Sequence, residues 1–134
     1  MLEEGKNIDI LKIESTRIDI PSIVLNPYTG ILQFTGNSVL HETRLFYGPV
    51  LEWITQYASA PRSKTIIICK LGYLNSVSKK VFANVLNTFK QLKDPYSVEV
   101  NWYYAKDDFD SEELAEEFQQ FIKMDHFNII EFTP

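Results

Sequence analysis

Lys64-Thr-Ile-Ile-Ile-Cys-Lys-Leu-Gly-Tyr-Leu-Asn-Ser-Val-Ser-Lys-Lys80 carries the chain from one kind of secondary structure into another. Its first seven residues form a continuous, largely β-branched run, the pattern of a strand buried on both faces. Beyond it Val81, Phe82, Val85, Leu86, Phe89 and Leu92 recur at helical spacing. A strand that feeds a helix in this way belongs to an α/β architecture. Leu71–Lys80 is the junction, and its hydroxyls fall in the opening turn of the helix. Ser76 stands among the first backbone N–H groups, where aligned peptide dipoles favour negative charge. Two readings stand at this point. Asn and Ser ahead of an apolar periodic run serve as helix caps, and a hydroxyl in this position also tolerates a phosphate. Lys79 occupies the place where a reciprocal capping box from Ser76 requires Glu or Gln, so no such box is expected.

Upstream, Ile8 to Glu14 alternates apolar and polar residues as a half-buried strand does. Ser22–Leu25 and Ile31–Phe34 flank Asn26-Pro-Tyr-Thr-Gly30, whose Pro and Gly supply turn geometry, so a β-hairpin is expected with Gly36 closing its second strand. Leu45, Phe46, Val50, Trp53, Ile54 and Tyr57 form one face of a helix from Arg44 to Tyr57. Pro49 must then lie in its first turn or mark a kink. Downstream, Lys93-Asp-Pro95 breaks the chain. Ser97–Tyr104 reads as a strand, Asp107–Glu113 as an acidic helix start leading into the stripe Leu114, Phe118, Phe121 and Ile122, and Phe127–Phe132 as a last strand. The order calls for crossovers and for a mixed sheet covered by helices. Core packing is expected for Trp53, Phe82, Phe89 and Trp102.

With 134 residues, 45% of them apolar, the chain suffices for one domain over 1–134 with a core of its own. The net charge of −5 and the lack of a dense Lys/Arg block argue against a phosphate-backbone binder, so no nucleic-acid partner is expected. Met1-Leu-Glu-Glu-Gly5 is acidic where a secretory signal is basic, and no apolar stretch approaches the roughly 20 residues that span a bilayer. A cytoplasmic protein without membrane contact is the expectation. Cys69, the single cysteine, excludes an internal disulfide and reads as a small buried hydrophobe. The carboxylates Asp107, Asp108, Asp110, Glu112 and Glu113 lack EF-hand spacing, so neither a metal nor another cofactor is expected.

Taken together, Leu11-Lys-Ile-Glu-Ser-Thr16, Thr29-Gly30, Gly36-Asn-Ser38, Phe46-Tyr47, Trp53, Tyr73-Leu-Asn-Ser-Val-Ser78 and Val98-Glu-Val-Asn-Trp-Tyr-Tyr104 resemble the SiaC family of regulatory phosphoproteins, in order and with similar spacing from about Leu11 to the C-terminus. The resemblance implies a STAS-like fold, similar to anti-sigma-factor antagonists, and a protein that is not an enzyme. It implies phosphorylation by a dedicated kinase, dephosphorylation by a PP2C-like phosphatase, and activation of a diguanylate cyclase by the unmodified form, with biofilm control through c-di-GMP as the output. The family's phosphoacceptor is the Thr of a Tyr-Leu-Asn-Thr-Ser-Ser type motif. The matching position is Ser76, which keeps the hydroxyl, with Ser78 as the alternative. Tyr73, Asn75, Val77, Lys79 and Lys80 then surround the modified residue as candidate partner contacts.

Two departures stand out. Ser38-Val-Leu-His41 replaces a family Ser-Tyr-Pro-Glu, and Ala105 stands where the strand usually ends in Asp. Both leave the identity of the partner cyclase open, and no residue pattern fixes the oligomeric state or the direction of the switch. The rival readings are an unregulated adaptor, an anti-sigma-factor-antagonist-like partner-switch protein, and a small hydrolase or transferase using Ser76 or His41. The last lacks a Gly-x-Ser-x-Gly elbow, a Gly-rich phosphate loop and a His-Glu-x-x-His pair.

Overall fold

The computed structural model describes residues 8–92, 94 and 97–134; the acidic opening Met1–Gly5 and, apart from Asp94, the break at Lys93-Asp-Pro95 lie outside them. The chain runs β1 (Leu11–Ile13), β2 (Ser22–Asn26), β3 (Ile31–Ser38), α1 (Arg44–Ser59), β4 (Thr65–Leu74), α2 (Ser76–Lys90), β5 (Val98–Ala105), α3 (Phe109–Ile122) and β6 (Phe127–Phe132). The six strands lie side by side in chain order. β1, β2 and β3 pair antiparallel, while β3, β4, β5 and β6 pair parallel. This is the mixed sheet with crossover helices that the order of elements calls for.

The expected hairpin forms at Asn26–Gly30 for a local reason. The Asn26 Oδ1 accepts from the N–H groups of Tyr28 and Thr29 at 2.9 and 3.2 Å, and the Gly30 N–H donates to the Asn26 carbonyl at 3.0 Å. Gly30 takes φ +76, and a Cβ there would run into the Lys64 carbonyl. Only glycine fits both demands.

All three helices pack on one face of the sheet. Phe34 of β3 meets Phe82 of α2 edge to face at 5.3 Å, Trp102 of β5 stacks on Phe118 of α3 at 4.8 Å, and the Tyr57 hydroxyl of α1 lies 2.8 Å from the Thr65 Oγ1 of β4. Cys69 sits between Phe34 and Trp102 in register and is buried, as expected of it. Trp53, Phe82, Phe89 and Trp102 are likewise in the core. Each such side chain contributes about 1.5–3 kcal/mol by leaving water. Truncating Phe82, wedged between Phe34 and Tyr47, to alanine would cost about 3–5 kcal/mol.

Several expectations are corrected. β4 is not buried on both faces: Thr65, Ile67, Cys69 and Leu71 face the helices, while Ile66 and Ile68 are half-buried and Lys70 is exposed, its ammonium 4.1 Å from the Phe132 ring centroid. The apolar run reflects β-branched residues on an open sheet face rather than a second layer. Leu45 and Phe121 carry the helical period but project into solvent at 87% and 68% exposure, because each lies at an end of its helix, beyond the neighbouring element. α1 passes through Pro49 in its second turn, at an exposed position; the ring forfeits the hydrogen bond to the Leu45 carbonyl. The first strand is shorter than Ile8–Glu14, and β3 runs past Gly36 to Ser38. Leu92 lies beyond the end of α2 but still packs against the core.

Candidate functional site

Parallel β-α units place every helix N-terminus at the carboxyl end of the strand before it, so the starts of α1, α2 and α3 share one edge of the sheet. The junction Leu71–Lys80 lies there. β4 leaves its register with β3 between Gly36↔Leu71 and Ser38↔Leu74, three residues on β4 passing two on β3. The extra residue reverses the alternation, which turns Leu74 inward and throws Tyr73 out to 57% exposure. Gly72 lies in the bulge, where a Cβ would lie 2.5 Å from the Asn37 Oδ1 and push that side chain aside.

Asn75, not Ser76, is the cap of α2. With φ −75 and ψ 173, it accepts at Oδ1 from the Ser78 N–H at 3.0 Å. Its Nδ2 donates to the Leu40 carbonyl at 2.9 Å, and its own N–H donates to the Ser38 carbonyl at 3.0 Å. The third helical residue, where a capping box would be completed, is therefore Ser78 rather than Lys79. Ser78 is fully buried, its Oγ 2.7 Å from the Ser38 Oγ, which in turn lies 2.7 Å from the Tyr47 hydroxyl. This chain of hydroxyls ties the end of β3, the first turn of α1 and the first turn of α2 together. Burial pushes the Tyr47 phenol up to about 12, and the hydrogen bond with Ser38 opposes that only in part. The Cys69 thiol is also pushed up by burial, which removes the thiolate a nucleophile needs.

Ser76 is left as the first residue of the helix with its side chain exposed, and no hydrogen bond among the described residues holds its Oγ. It opens onto a groove of about 1090 Å³ lined by Tyr73, Asn75, Ser76 and Lys79 on one wall and by Asp110, Glu113, Glu116 and Glu117 of α3 on the other. Lys79 reaches across to the Glu117 carboxylate at 3.4 Å. The structure thus brings together Tyr73, Asn75, Ser76 and Lys79. Val77 is exposed beside them, and Lys80 lies instead over a smaller cavity with Phe121. Ser78 shares the junction but not the surface.

Sequence reasoning did not assign Ser38 and Tyr47 to the site, although both lie in motifs that carry the family resemblance. Nothing local marks them, because the Ser38 hydroxyl meets Ser78 across 40 residues of chain and the Tyr47 hydroxyl joins only through Ser38. The acidic wall is legible only as a charged helix start until α3 is laid beside α2. Among the described residues no group of His, Cys, Asp and Glu is arranged to hold a metal, and no helix is long and apolar enough to cross a membrane.

A family model described as SiaC family regulatory phosphoprotein matches residues 13–132. An uncharacterized protein of Pseudomonas aeruginosa strain UCBPP-PA14 is 25% identical over 101 residues, 75% of this chain and 80% of the relative. A chain in the crystal structure of the diguanylate cyclase SiaD in complex with its activator SiaC, from Pseudomonas aeruginosa, superposes with a TM-score of 0.81 at 24% identity, over 91% of this chain and 99% of that one. Apo-SiaC from the same organism gives 0.76 at 22% identity, over 92% and 99%. Both structures share the fold of the present chain.

Proposed function

Because this chain belongs to the SiaC family of regulatory phosphoproteins, we propose that it is a non-enzymatic switch, one domain over 1–134, whose unmodified form binds and activates a diguanylate cyclase in the cytoplasm. A partner kinase transfers the γ-phosphoryl group of ATP to the Ser76 Oγ, which loses its proton as ADP departs. A PP2C-like phosphatase returns the hydroxyl by hydrolysis, with water as the acceptor. The output is c-di-GMP signalling and biofilm control.

The observation that carries this reading is the division of labour at the junction. Asn75 does the capping and Ser78 is locked inside, so the Ser76 hydroxyl is exposed and owes nothing to the fold. A residue needed for neither packing nor capping is free to be modified. Phosphorylation there adds about −1.5 to −2 charges. The helix N-terminus offsets only about 0.3–1 kcal/mol of the consequence. The carboxylates of the opposite wall repel the phosphate, and Lys79, the cation in the groove's lining, is already shared with Glu117. A partner covering Ser76 must desolvate the dianion at a cost of several kcal/mol, so affinity falls about a hundredfold or more. The phosphate is an off-switch.

Two measurements test this. Peptide mass spectrometry of the protein from its native cells is expected to find phosphate on Ser76 within residues 71–80. The unmodified protein, titrated against each purified diguanylate cyclase of its own genome, is expected to stimulate c-di-GMP formation by one of them. Absence of phosphate under every growth condition would leave an unregulated adaptor; stimulation of none would remove the cyclase as target.

A further inference from the structure

Among the described residues, Ile10, Tyr28 and Phe121 are large apolar side chains exposed elsewhere on the molecule, but Ile18, Leu45, Tyr73, Val77 and Phe109 gather at one edge. Leu45, Val77 and Phe109 are the second, second and first residues of α1, α2 and α3, exposed at 87%, 38% and 73%. All three helix starts share the carboxyl edge of the parallel strands. Tyr73 is thrown out at the same edge by the β4 bulge. Ile18, also exposed, is held there by the loop between β1 and β2: the Asn37 Nδ2 donates to the Ile18 carbonyl at 3.2 Å, and the Val39 N–H to the Asp19 carbonyl at 2.9 Å. The first turn of a helix is normally polar, since its N–H groups face water and anions. Apolar residues at three helix starts on one edge form a rim with no use in the isolated chain.

We propose that this rim, running from Leu45 past Val77 and Tyr73 to Phe109, is the surface on which the partner protein docks, and that the partner presents apolar side chains flanked by Lys or Arg. The inference rests on the switch reading and extends it from one residue to a surface. Charge complementarity selects the flank. Beside the rim the groove carries Asp110, Glu113, Glu116 and Glu117 against Lys79 alone, and Lys79 is already paired. An acidic or neutral partner would leave those carboxylates facing like charge or desolvated without a counterion. A basic segment entering the groove satisfies them while its apolar neighbours cover Phe109 and Tyr73. Ser76 lies on the rim side of the groove, so a phosphate there falls under the partner's apolar side chains, while its Lys or Arg lie against the carboxylates of α3.

The probe is the diguanylate cyclase that the unmodified protein stimulates. Leu45→Glu and Phe109→Glu, both at exposed positions, are each expected to raise the half-maximal stimulating concentration by about tenfold or more, as truncated hot spots do. Phe121→Ser, at the far end of α3, is expected to change it by less than about twofold. Glu113→Lys is expected to weaken stimulation by an amount that shrinks as salt is raised. Thermal unfolding of each variant separates a lost contact from a lost fold, with Leu45→Ser and Phe109→Ser as milder substitutes. If the unaltered protein stimulates the cyclase and both glutamate variants match it, the rim is not the interface and the inference is overturned while the cyclase reading stands. A protein that stimulates no cyclase removes that reading and this inference together.

Discussion

The starts of α2 and α3 use the same backbone device and fill it differently. In α2 Asn75 accepts from the Ser78 N–H at 3.0 Å; in α3 Asp108 accepts from the Ser111 N–H at 3.1 Å. Both serines, each the third residue of its helix, are buried, and both set their hydroxyl against the sheet layer, Ser78 on Ser38 and Ser111 on the Leu71 carbonyl. The difference is charge and use. α3 places Asp108, Asp110 and Glu112 at its positive end, so its dipole is already answered. α2 has a neutral cap and no acidic residue in its first turn, and at its first position it offers a hydroxyl where α3 has Phe109. One helix start is finished electrostatically and the other carries no acidic residue of its own.

The largest expected effect separates the two ends by modification. Stoichiometric phosphorylation of Ser76 is expected to weaken cyclase binding about a hundredfold, with Ser76→Asp weakening it less and Ser76→Ala preserving binding while abolishing kinase labelling. Equal binding by Asp and Ala variants would sink the off-switch.

Exchanging the caps is expected to be asymmetric. Asn75 uses both ends of its amide, accepting from Ser78 and donating to Leu40. Asn75→Asp therefore sets a carboxylate against a carbonyl and is expected to cost about 3 kcal/mol in urea unfolding, despite matching the dipole better. Asp108→Asn keeps its acceptor and is expected to cost under about 1 kcal/mol. If both exchanges cost the same, the neutral cap has no structural reason.

The buried hydroxyls provide a third contrast. Ser38→Ala removes the oxygen shared by Tyr47 and Ser78 and is expected to cost about 2 kcal/mol, against about 1 kcal/mol for Ser111→Ala, which frees a single carbonyl. A reversed order would show that the hydroxyl chain does not bind α1 to α2. The last effect is nil at neutral pH and appears only in alkali. The folded protein holds the Tyr47 proton to about 12, whereas an unfolded phenol releases it near about 10. The unfolded state ionises first, so stability is intact below about pH 10 and declines as pH rises toward 12. Tyr47→Phe is expected to flatten that decline, and an unchanged slope would show that the phenol is not held neutral by burial.

Periodicity and turn chemistry made most of the fold legible. The hairpin at Asn26–Gly30, the helices bearing Trp53, Phe82 and Phe118, and the alternation of strand and helix after β3 follow from local patterns that tertiary packing reinforces. Leu45 and Phe121 misled because they keep the helical period where no neighbour covers them. The Ile66–Ile68 run misled because β-branched residues favour strands whether one face or both are covered. At the site, Ser76 was legible from its position at a strand-to-helix junction and from the family resemblance, but its freedom was not. That Asn75 rather than Ser76 caps the helix depends on a bulge in β4, which a run of residues such as Leu71-Gly-Tyr-Leu74 permits without announcing.

By itself the sequence determined the order of strands and helices, the acidic balance, the buried aromatic positions and the hydroxyl at the opening of the second helix, because each is set by residues within a few positions of one another. Only the tertiary structure decided which hydroxyl is outside and which is locked within, that Ser38 meets Ser78, that α3 supplies an acidic wall opposite Ser76, and that Leu45, Tyr73, Val77 and Phe109 share one edge. Those relations join residues tens of positions apart, and they exist because a parallel sheet gathers every helix start at the same end.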